Sequence, residues 1–93
     1  MIYAYANILV TDPGALDAYR AKAGEALAKH GGRVVQAAPR QTVLEGARDE
    51  TGIGAVLAFD SAEGAQAWIS DPGLETVHAL RRGAGRSTIT LLG

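Results

Sequence analysis

IYAYANILVTDPG, residues 2–14, decides the architecture of this chain. Along Ile2–Val10 apolar side chains occupy both of the faces that alternate in a strand, because successive residues of a strand point to opposite sides of the sheet. Asp12 then provides a helix N-cap, and Pro13 takes the first helical position, where its missing N–H is not needed. The stretch predicts a strand with two apolar faces that runs directly into a helix.

The next part of the chain predicts one helix followed by three extended segments. Apolar residues recur at helical spacing up to Gly31-Gly32, where a left-handed residue ends a helix readily. Short strands are predicted at Arg33–Ala37, Thr42–Glu45 and Ile53–Phe59. The charged, glycine-bounded stretch 46–52 between the last two is predicted to be a loop.

A second helical region and a last strand complete the chain. Asp60 and Glu63 have the spacing of a capping box, so a short helix is predicted to start at Asp60. It should break at Asp71-Pro72, because the residue before a proline is pushed out of the helical region. Helical spacing then resumes until a glycine-rich stop, and Ser87–Leu92 is predicted to be the final strand.

The resulting order, β-α-β-β-α-β, predicts an α+β fold of the ferredoxin-like kind. Two right-handed crossovers in this order build a four-stranded antiparallel sheet with both helices on one face. Helices pack closely against small residues, so Tyr3 and Tyr5 should point to the other, uncovered face. A contiguous apolar face is rarely left in water. We therefore expect a homodimer in which a second copy covers this sheet face.

Composition limits the classes of function. The 93 residues predict one domain over 1–93, and nine basic against ten acidic residues give a net charge of −1, which does not favour a nucleic-acid partner. Cysteine is absent, so disulfides and thiolate chemistry are excluded. No apolar run approaches the roughly 18 residues of a membrane span, and no secretory leader pattern opens the sequence. We expect a cytoplasmic protein without a membrane partner.

A set of spaced positions along nearly the whole chain resembles the family called domain of unknown function 1330. The matching positions are Tyr3, Ala6, Val10-Thr11-Asp12-Pro13, Tyr19, Gly31-Gly32-Arg33, Leu44-Glu45-Gly46, Phe59, Ser61, Asp71-Pro72, Leu80-Arg81 and Gly93. The resemblance implies a dimeric α+β barrel, in which two sheets face each other with the helices outside. The same superfamily includes cofactor-free monooxygenases, polyketide cyclases, lactone isomerases and stress-responsive binding proteins, and fold does not choose among them.

The chain also departs from the pattern of that family. Members usually carry an aromatic residue where this chain has Ala47-Arg48, a glutamate where it has Ala58, and Glu-Tyr where it has Gly73-Leu74. Three groups that could line a polar site are therefore missing. This depletion favours a binding protein slightly over an enzyme.

His78 and Arg81 are the candidate site residues of the second helical region. Histidine is the most frequent general acid–base group, which makes His78 the catalytic candidate; the alternative is a boundary histidine bonded to Glu75 or to the backbone. Arg81 lies three residues further on the same helical face and could bind a ligand carboxylate, or act only at the helix end. An imidazole beside a guanidinium should have a pKa below its usual value of about 6.5.

Tyr3, Tyr5 and Asn7 share one face of the first strand and are the remaining ligand-binding candidates. Two phenols and an amide in a row could orient a carbonyl or an enolate. Packing at a subunit interface explains the same residues equally well. If they serve a ligand, we expect the site between the sheet and the second helix, with His78 and Arg81 opposite.

Two functions remain after these exclusions. The first is small-molecule binding without a cofactor, with an apolar or aromatic ligand. The alternative is a cofactor-free cyclase, isomerase or monooxygenase acting on a small aromatic or polyketide-like substrate, with His78 as acid and base. Glu75-x-x-His78 has the spacing of half a metal site but lacks the further carboxylates, so no metal is expected. An open apolar pocket would favour the enzyme, and a filled interior the non-catalytic protein.

Overall fold

The computed structural model describes residues 1–47 and 51–93. Its elements, in chain order, are β1 (Ile2–Val10), α1 (Pro13–Ala28), β2 (Gly32–Ala38), β3 (Ile53–Phe59), α2 (Ala62–Ser70), a single 3₁₀ turn (Pro72–Leu74), α3 (Glu75–Ala84) and β4 (Gly85–Leu92). The predicted β-α-β-β-α-β order is confirmed, with the second helical region divided into α2 and α3. No helix in the described ranges is long and apolar enough to cross a membrane.

The four strands form one antiparallel sheet in the order β2-β3-β1-β4. β1 lies between β3 and β4, where Tyr3 pairs with Ala58 on one side and with Leu92 on the other. β2 pairs with the outer edge of β3, with an irregularity in register between Val34 and Gln36. The α+β, ferredoxin-like arrangement predicted from the order of elements is therefore confirmed.

The hydrophobic core fills the space between the sheet and the helices. Its buried members are Ala4, Leu57 and Phe59 from the sheet and Ala26, Leu27, Ala65, Trp68, Leu74 and Val77 from the helical side. Phe59 and Trp68 contact each other with ring centroids 5.6 Å apart. Because β1 places its small residue Ala4 in this core, Tyr3 and Tyr5 point to the opposite face of the sheet, as predicted.

The helix caps agree with the sequence at α1 and differ by one residue at α2. The Asp12 carboxylate accepts from the backbone N–H of Ala15 at 3.2 Å, so Asp12 is the N-cap that the sequence predicts. The predicted cap at Asp60 is wrong: Ser61 caps α2 through its hydroxyl. The reason is that the backbone N–H of Asp60 still donates to the Gly31 carbonyl at 3.1 Å, which continues the pairing of β2 with β3.

The strand predicted at Thr42–Glu45 is wrong. Residues 39–47 form no strand of the sheet, and Leu44 is almost fully exposed. Gln41, just before Thr42–Glu45, bonds through its side chain to Tyr5 and Asn7 of β1. Of the predicted loop 46–52, residues 48–50 lie outside the described part of the chain.

Asp71 fixes the break between α2 and α3. Its carboxylate accepts from the backbone N–H of Gly73 at 2.8 Å, while Lys29 Nζ and His30 Nε2 each lie 2.8 Å from Asp71 Oδ2. The bond to Lys29, then those to His30 and Gly73, hold the pKa of Asp71 well below its usual range. The predicted break at Asp71-Pro72 is confirmed, and it is tied to the end of α1.

Candidate functional site

A cavity of about 240 Å³ lies between α1 and the sheet, and we call it the α1 cavity. Apolar side chains form most of its wall, among them Ile8, Leu16, Tyr19, Leu27, Leu57 and Ile89. Ala6, Ala23 and Ala55 also border it, and their short side chains explain why helix and sheet leave space here. The interior is therefore open, and an open apolar pocket is what the sequence leads us to expect of an enzyme.

A second, wider space of about 470 Å³ lies between α2, α3 and the edge strand β4, and we call it the β4 cleft. Trp68, Ile69 and Leu91 are among its walls. Three residues border both spaces: Arg81, Ser87 and Ile89. The two spaces therefore share a wall that includes Arg81.

Arg81 is a buried cation, with 6% of its surface exposed. Its guanidinium carbon lies 5.6 Å from the centre of the Tyr19 ring and 5.5 Å from that of the Trp68 ring, within the range of cation–π contacts. The ion pairs in the described part of the chain are Lys29–Asp71, His30–Asp71 and Arg82–Glu75. No carboxylate among those residues therefore neutralises Arg81.

His78 is fully buried and holds Arg81 in place. Its Nδ1 accepts from Arg81 Nη1 at 2.7 Å, which leaves Nε2–H to donate to the Trp68 carbonyl at 2.8 Å. Burial, and then the charges of Arg81 and Arg82, lower the pKa of His78 below 6.5. The predicted direction of this shift is confirmed, although burial and not the guanidinium is its main cause.

Both ring nitrogens of His78 are thus occupied, and His78 borders neither the α1 cavity nor the β4 cleft. The Trp68 ring meets the imidazole edge-on, with centroids 4.9 Å apart. In this arrangement His78 orients Arg81 and the Trp68 backbone. A catalytic role for His78 stays a prediction, and it requires that one of these two hydrogen bonds be exchanged for a bond to substrate.

Two buried N–H groups, one of Arg81 and one of Trp68, have no hydrogen-bond acceptor among the described residues. The two donor atoms are Arg81 Nε and Trp68 Nε1. Buried polar groups are paired in the great majority of cases, since an unpaired donor loses its hydration without replacement. Both residues border the β4 cleft, and an acceptor that reached these two N–H groups would complete their hydrogen bonding.

Tyr3, Tyr5 and Asn7 lie on the other side of the sheet. The Tyr5 hydroxyl donates to Gln41 Oε1, and Gln41 Nε2 donates to Asn7 Oδ1, which also accepts from the Gly52 N–H at 3.0 Å. Asn7 borders the α1 cavity as well, but its side-chain oxygen is used on this outer face. The structure brings His78 and Arg81 together, and separately Tyr5 and Asn7; it does not unite the five predicted residues in one site.

Sequence reasoning missed three residues of these two clusters: Tyr19, Trp68 and Gln41. The signal for Trp68 was available, because it is the single tryptophan of the chain and lies on the predicted α2 helix. Nothing in the sequence around Gln41 indicates that its amide reaches β1. No group of three acidic or histidine side chains that could hold a metal occurs within residues 1–47 and 51–93, and Glu75 bonds to Arg82 at 2.8 Å.

Solved structures of low sequence identity share this fold. A protein of unknown function from Rhodopseudomonas palustris is 20% identical, with a TM-score of 0.77 and coverage of 98% of this chain and 79% of that one. A dimeric ferredoxin-like protein of unknown function from Jannaschia sp. CCS1 is 14% identical, with a TM-score of 0.71 and coverage of 99% and 97%. A cofactor-independent oxygenase from Streptomyces nogalater is 13% identical, with a TM-score of 0.59 and coverage of 99% and 88%.

These similarities establish the fold and not the activity, because all three identities are low. None of the curated proteins compared with this chain matches it. The family described as Domain of unknown function (DUF1330) matches residues 1–93, the whole of the sequence. The chain therefore belongs to the DUF1330 family.

Proposed function

We propose that this chain is a homodimeric small-molecule-binding protein that needs no cofactor and holds its ligand in the α1 cavity. The observation that carries the proposal is an apolar cavity of about 240 Å³ with the buried cation Arg81 in its wall. Ligand sites are typically apolar spaces with a few fixed polar groups. A dry apolar cavity of about 150 Å³ is enough for benzene, so a small aromatic body fits the space available here.

The proposed dimer uses the outer face of the sheet. Tyr3 and Leu92 are paired neighbours there, and 43% and 62% of their respective surfaces are exposed. Val35 on β2 is a further exposed apolar residue of the sheet, with 53% of its surface exposed. A second copy is the occupant that we propose, because the structurally similar protein from Jannaschia is dimeric. A cytoplasmic location, predicted from the sequence, is part of the same proposal.

The second candidate is a cofactor-free enzyme acting on a small aromatic or polyketide-like substrate. The open α1 cavity also suits it, since a substrate needs the same kind of apolar space as a ligand. The position of His78 argues against it, because a general base must reach the proton that it removes. Both ring nitrogens of His78 are hydrogen-bonded, and His78 lines neither the α1 cavity nor the β4 cleft. We therefore rank small-molecule binding above catalysis.

The experiment compares two leucine substitutions on α1. Ala23→Leu places a larger side chain in the cavity wall, whereas Ala21→Leu makes the same change at an exposed position of the same helix. The probe is N-phenyl-1-naphthylamine, a neutral dye that brightens in apolar surroundings. We expect wild type and Ala21→Leu to bind it with equal affinity and Ala23→Leu to lose binding while remaining folded.

Equal binding by all three proteins would place the dye outside the cavity and contradict the proposal. Failure of the wild type to bind this dye, together with no binding of small aromatic amides by calorimetry, would also contradict it. Circular dichroism of the three proteins provides the control for folding.

A further inference from the structure

We infer that the ligand carries a carboxylate, which Arg81 and Trp68 bind at the wall that the α1 cavity and the β4 cleft share. The inference rests on the proposed function, since it names the class of molecule that the cavity holds. It concerns a small apolar monocarboxylic acid, with its charged head at Arg81 and its apolar body under α1.

The first argument is the unbalanced charge of Arg81. A guanidinium stays protonated in proteins, so this buried side chain is a permanent cation. The groups around it are the Tyr19 ring, the Trp68 ring and a neutral His78 imidazole. Ring faces offset only part of the cost of burying an unpaired charge. An anion at this position would supply the missing counter-charge.

The second argument is the set of unused donors. Arg81 Nε and Trp68 Nε1 are buried and have no acceptor within the described residues. Trp68 is 3% exposed, and both residues border the β4 cleft. Guanidinium and indole nitrogens only donate, so the complement must accept from both. A carboxylate has two oxygens that accept, and hydrogen bonds from a cation to an anion are the strong ones.

The third argument is that His78 fixes the position of Arg81 relative to the Trp68 backbone before a ligand arrives. His78 accepts from Arg81 Nη1 and donates to the Trp68 carbonyl, so one buried ring connects the two residues. The neighbouring cation Arg82 is exposed and already paired with Glu75 at 2.8 Å. Arg81, in contrast, is buried and pairs with no carboxylate among the described residues.

The position of the head follows from the shared walls. Arg81, Ser87 and Ile89 border both spaces, so a charged head at Arg81 lies directly beside the space beneath α1. The wall of the α1 cavity is mainly aliphatic and aromatic, which suits an uncharged body. A free inorganic anion would use the same donors but would leave the cavity empty, and the experiment below separates the two.

The test measures three probes against the wild-type protein by isothermal calorimetry: 3-phenylpropionate, its neutral amide 3-phenylpropanamide, and inorganic phosphate. We expect the acid to bind at least about tenfold more tightly than the amide, as one or two charge-assisted hydrogen bonds provide. Phosphate should bind more weakly than the acid. Because Trp68 is the only tryptophan, the acid should also change the indole emission.

Two variants assign the preference to the proposed donors. Arg81→Met removes the charge and approximately keeps the length of the side chain. It should reduce the ratio of the affinity for the acid to that for the amide to about one, while the amide still binds. Trp68→Phe removes the N–H and keeps an aromatic ring, and it should reduce the ratio several-fold. Lys22→Met, on the exposed side of α1, removes one positive charge elsewhere and should leave the ratio unchanged.

Equal affinities for acid and amide in the wild type would overturn the inference without any variant, and so would an acid preference that survives both Arg81→Met and Trp68→Phe. Phosphate binding as tight as that of the acid would reduce the site to one for small anions and would also overturn it. If the neutral dye binds and Ala23→Leu blocks it, these outcomes reject the carboxylate alone; if neither dye nor amide binds, the proposed function fails first.

Discussion

The two faces of the sheet differ in whether their polar side chains have hydrogen-bond partners. On the outer face Tyr5, Gln41 and Asn7 satisfy one another through hydrogen bonds, with Gly52 as a further donor. On the helix side Arg81 and Trp68 each keep a buried N–H without an acceptor among the described residues. A polar group that is already satisfied gains little from a ligand, whereas an unsatisfied one gains a great deal. The helix side is therefore the better candidate for ligand binding, and the outer face for association.

One strand supplies both faces. β1 directs Ala4 into the helix-side core and Tyr3 to the outer face, because alternate residues of a strand point in opposite directions. Changes on one face should consequently leave the function of the other intact. This expectation can be tested face by face.

The largest effect is expected from removing a packed ring on the helix side. Phe59 is buried against Trp68 and Leu27, so Phe59→Ala should lower the free energy of unfolding by about 3–5 kcal/mol. Leu44→Ala, at an almost fully exposed position beyond β2, should change it by less than about 0.5 kcal/mol. Urea unfolding at one fixed protein concentration measures both. Similar losses for the two variants would contradict the described core.

A lysine on the outer face should separate the subunits and spare the ligand site. Tyr3→Lys places an unpaired charge in the proposed interface, which should raise the dimer dissociation constant at least about 30-fold, or about 2 kcal/mol. Sedimentation equilibrium at micromolar concentration measures it. Ala21→Lys adds the same charge on the outside of α1 and should have no effect. A wild type that sediments as a monomer would refute the dimer, and loss of dye binding in Tyr3→Lys would refute the independence of the two faces.

A smaller effect, dependent on pH, is expected where α1 is tied to the α2–α3 break. The pKa of Asp71 is lowered in the folded state, so its contribution to stability is present above the unfolded pKa of about 3.9 and is lost as the pH falls below it. Asp71→Asn should therefore lower the melting temperature at pH 7, and its difference from wild type should shrink below about pH 4.

Glu75→Gln is the matched control for Asp71→Asn, since Glu75 lies in the exposed ion pair with Arg82. It should leave the melting temperature nearly unchanged. A difference between Asp71→Asn and wild type that persists undiminished in acid would show that the carboxylate charge is not what ties α1 to the break.

The smallest effect is a titration that should not be seen near neutral pH. His78 has a lowered pKa, so its ring should stay neutral, with the proton on Nε2, at pH 6.5 and somewhat below. Because the pKa of His78 is lower in the folded than in the unfolded chain, the unfolded chain takes up the proton first as the pH falls below about 6.5. The contribution of His78 to stability is therefore present above that pH and decreases as the pH falls. Imidazole nitrogen chemical shifts followed against pH measure this. A midpoint at or above 6.5, or a proton on Nδ1, would contradict the described support of Arg81.

Local patterns predicted the elements because each depends on neighbours in sequence. The alternation in β1, the cap at Asp12 and the break at Asp71-Pro72 all appear in the structure where the sequence predicts them. The cap of α2 differs by one residue because a contact with Gly31, distant in sequence, holds Asp60 in the sheet pairing. The strand predicted at Thr42–Glu45 does not form, and the Gln41 side chain just before it bonds to Tyr5, 36 positions away, a contact that the local pattern does not indicate.

The sequence by itself determined the order of elements, the antiparallel sheet and the direction of the tyrosines, because periodicity and capping act over a few residues. It also pointed to His78 and Arg81 as neighbours, three residues apart on one helix. Only the tertiary structure decided that a ring from α2 and another from α1 enclose Arg81, and that no carboxylate accompanies it in the described chain. Those contacts join residues far apart in sequence, so they exist only once the helices have packed on the sheet.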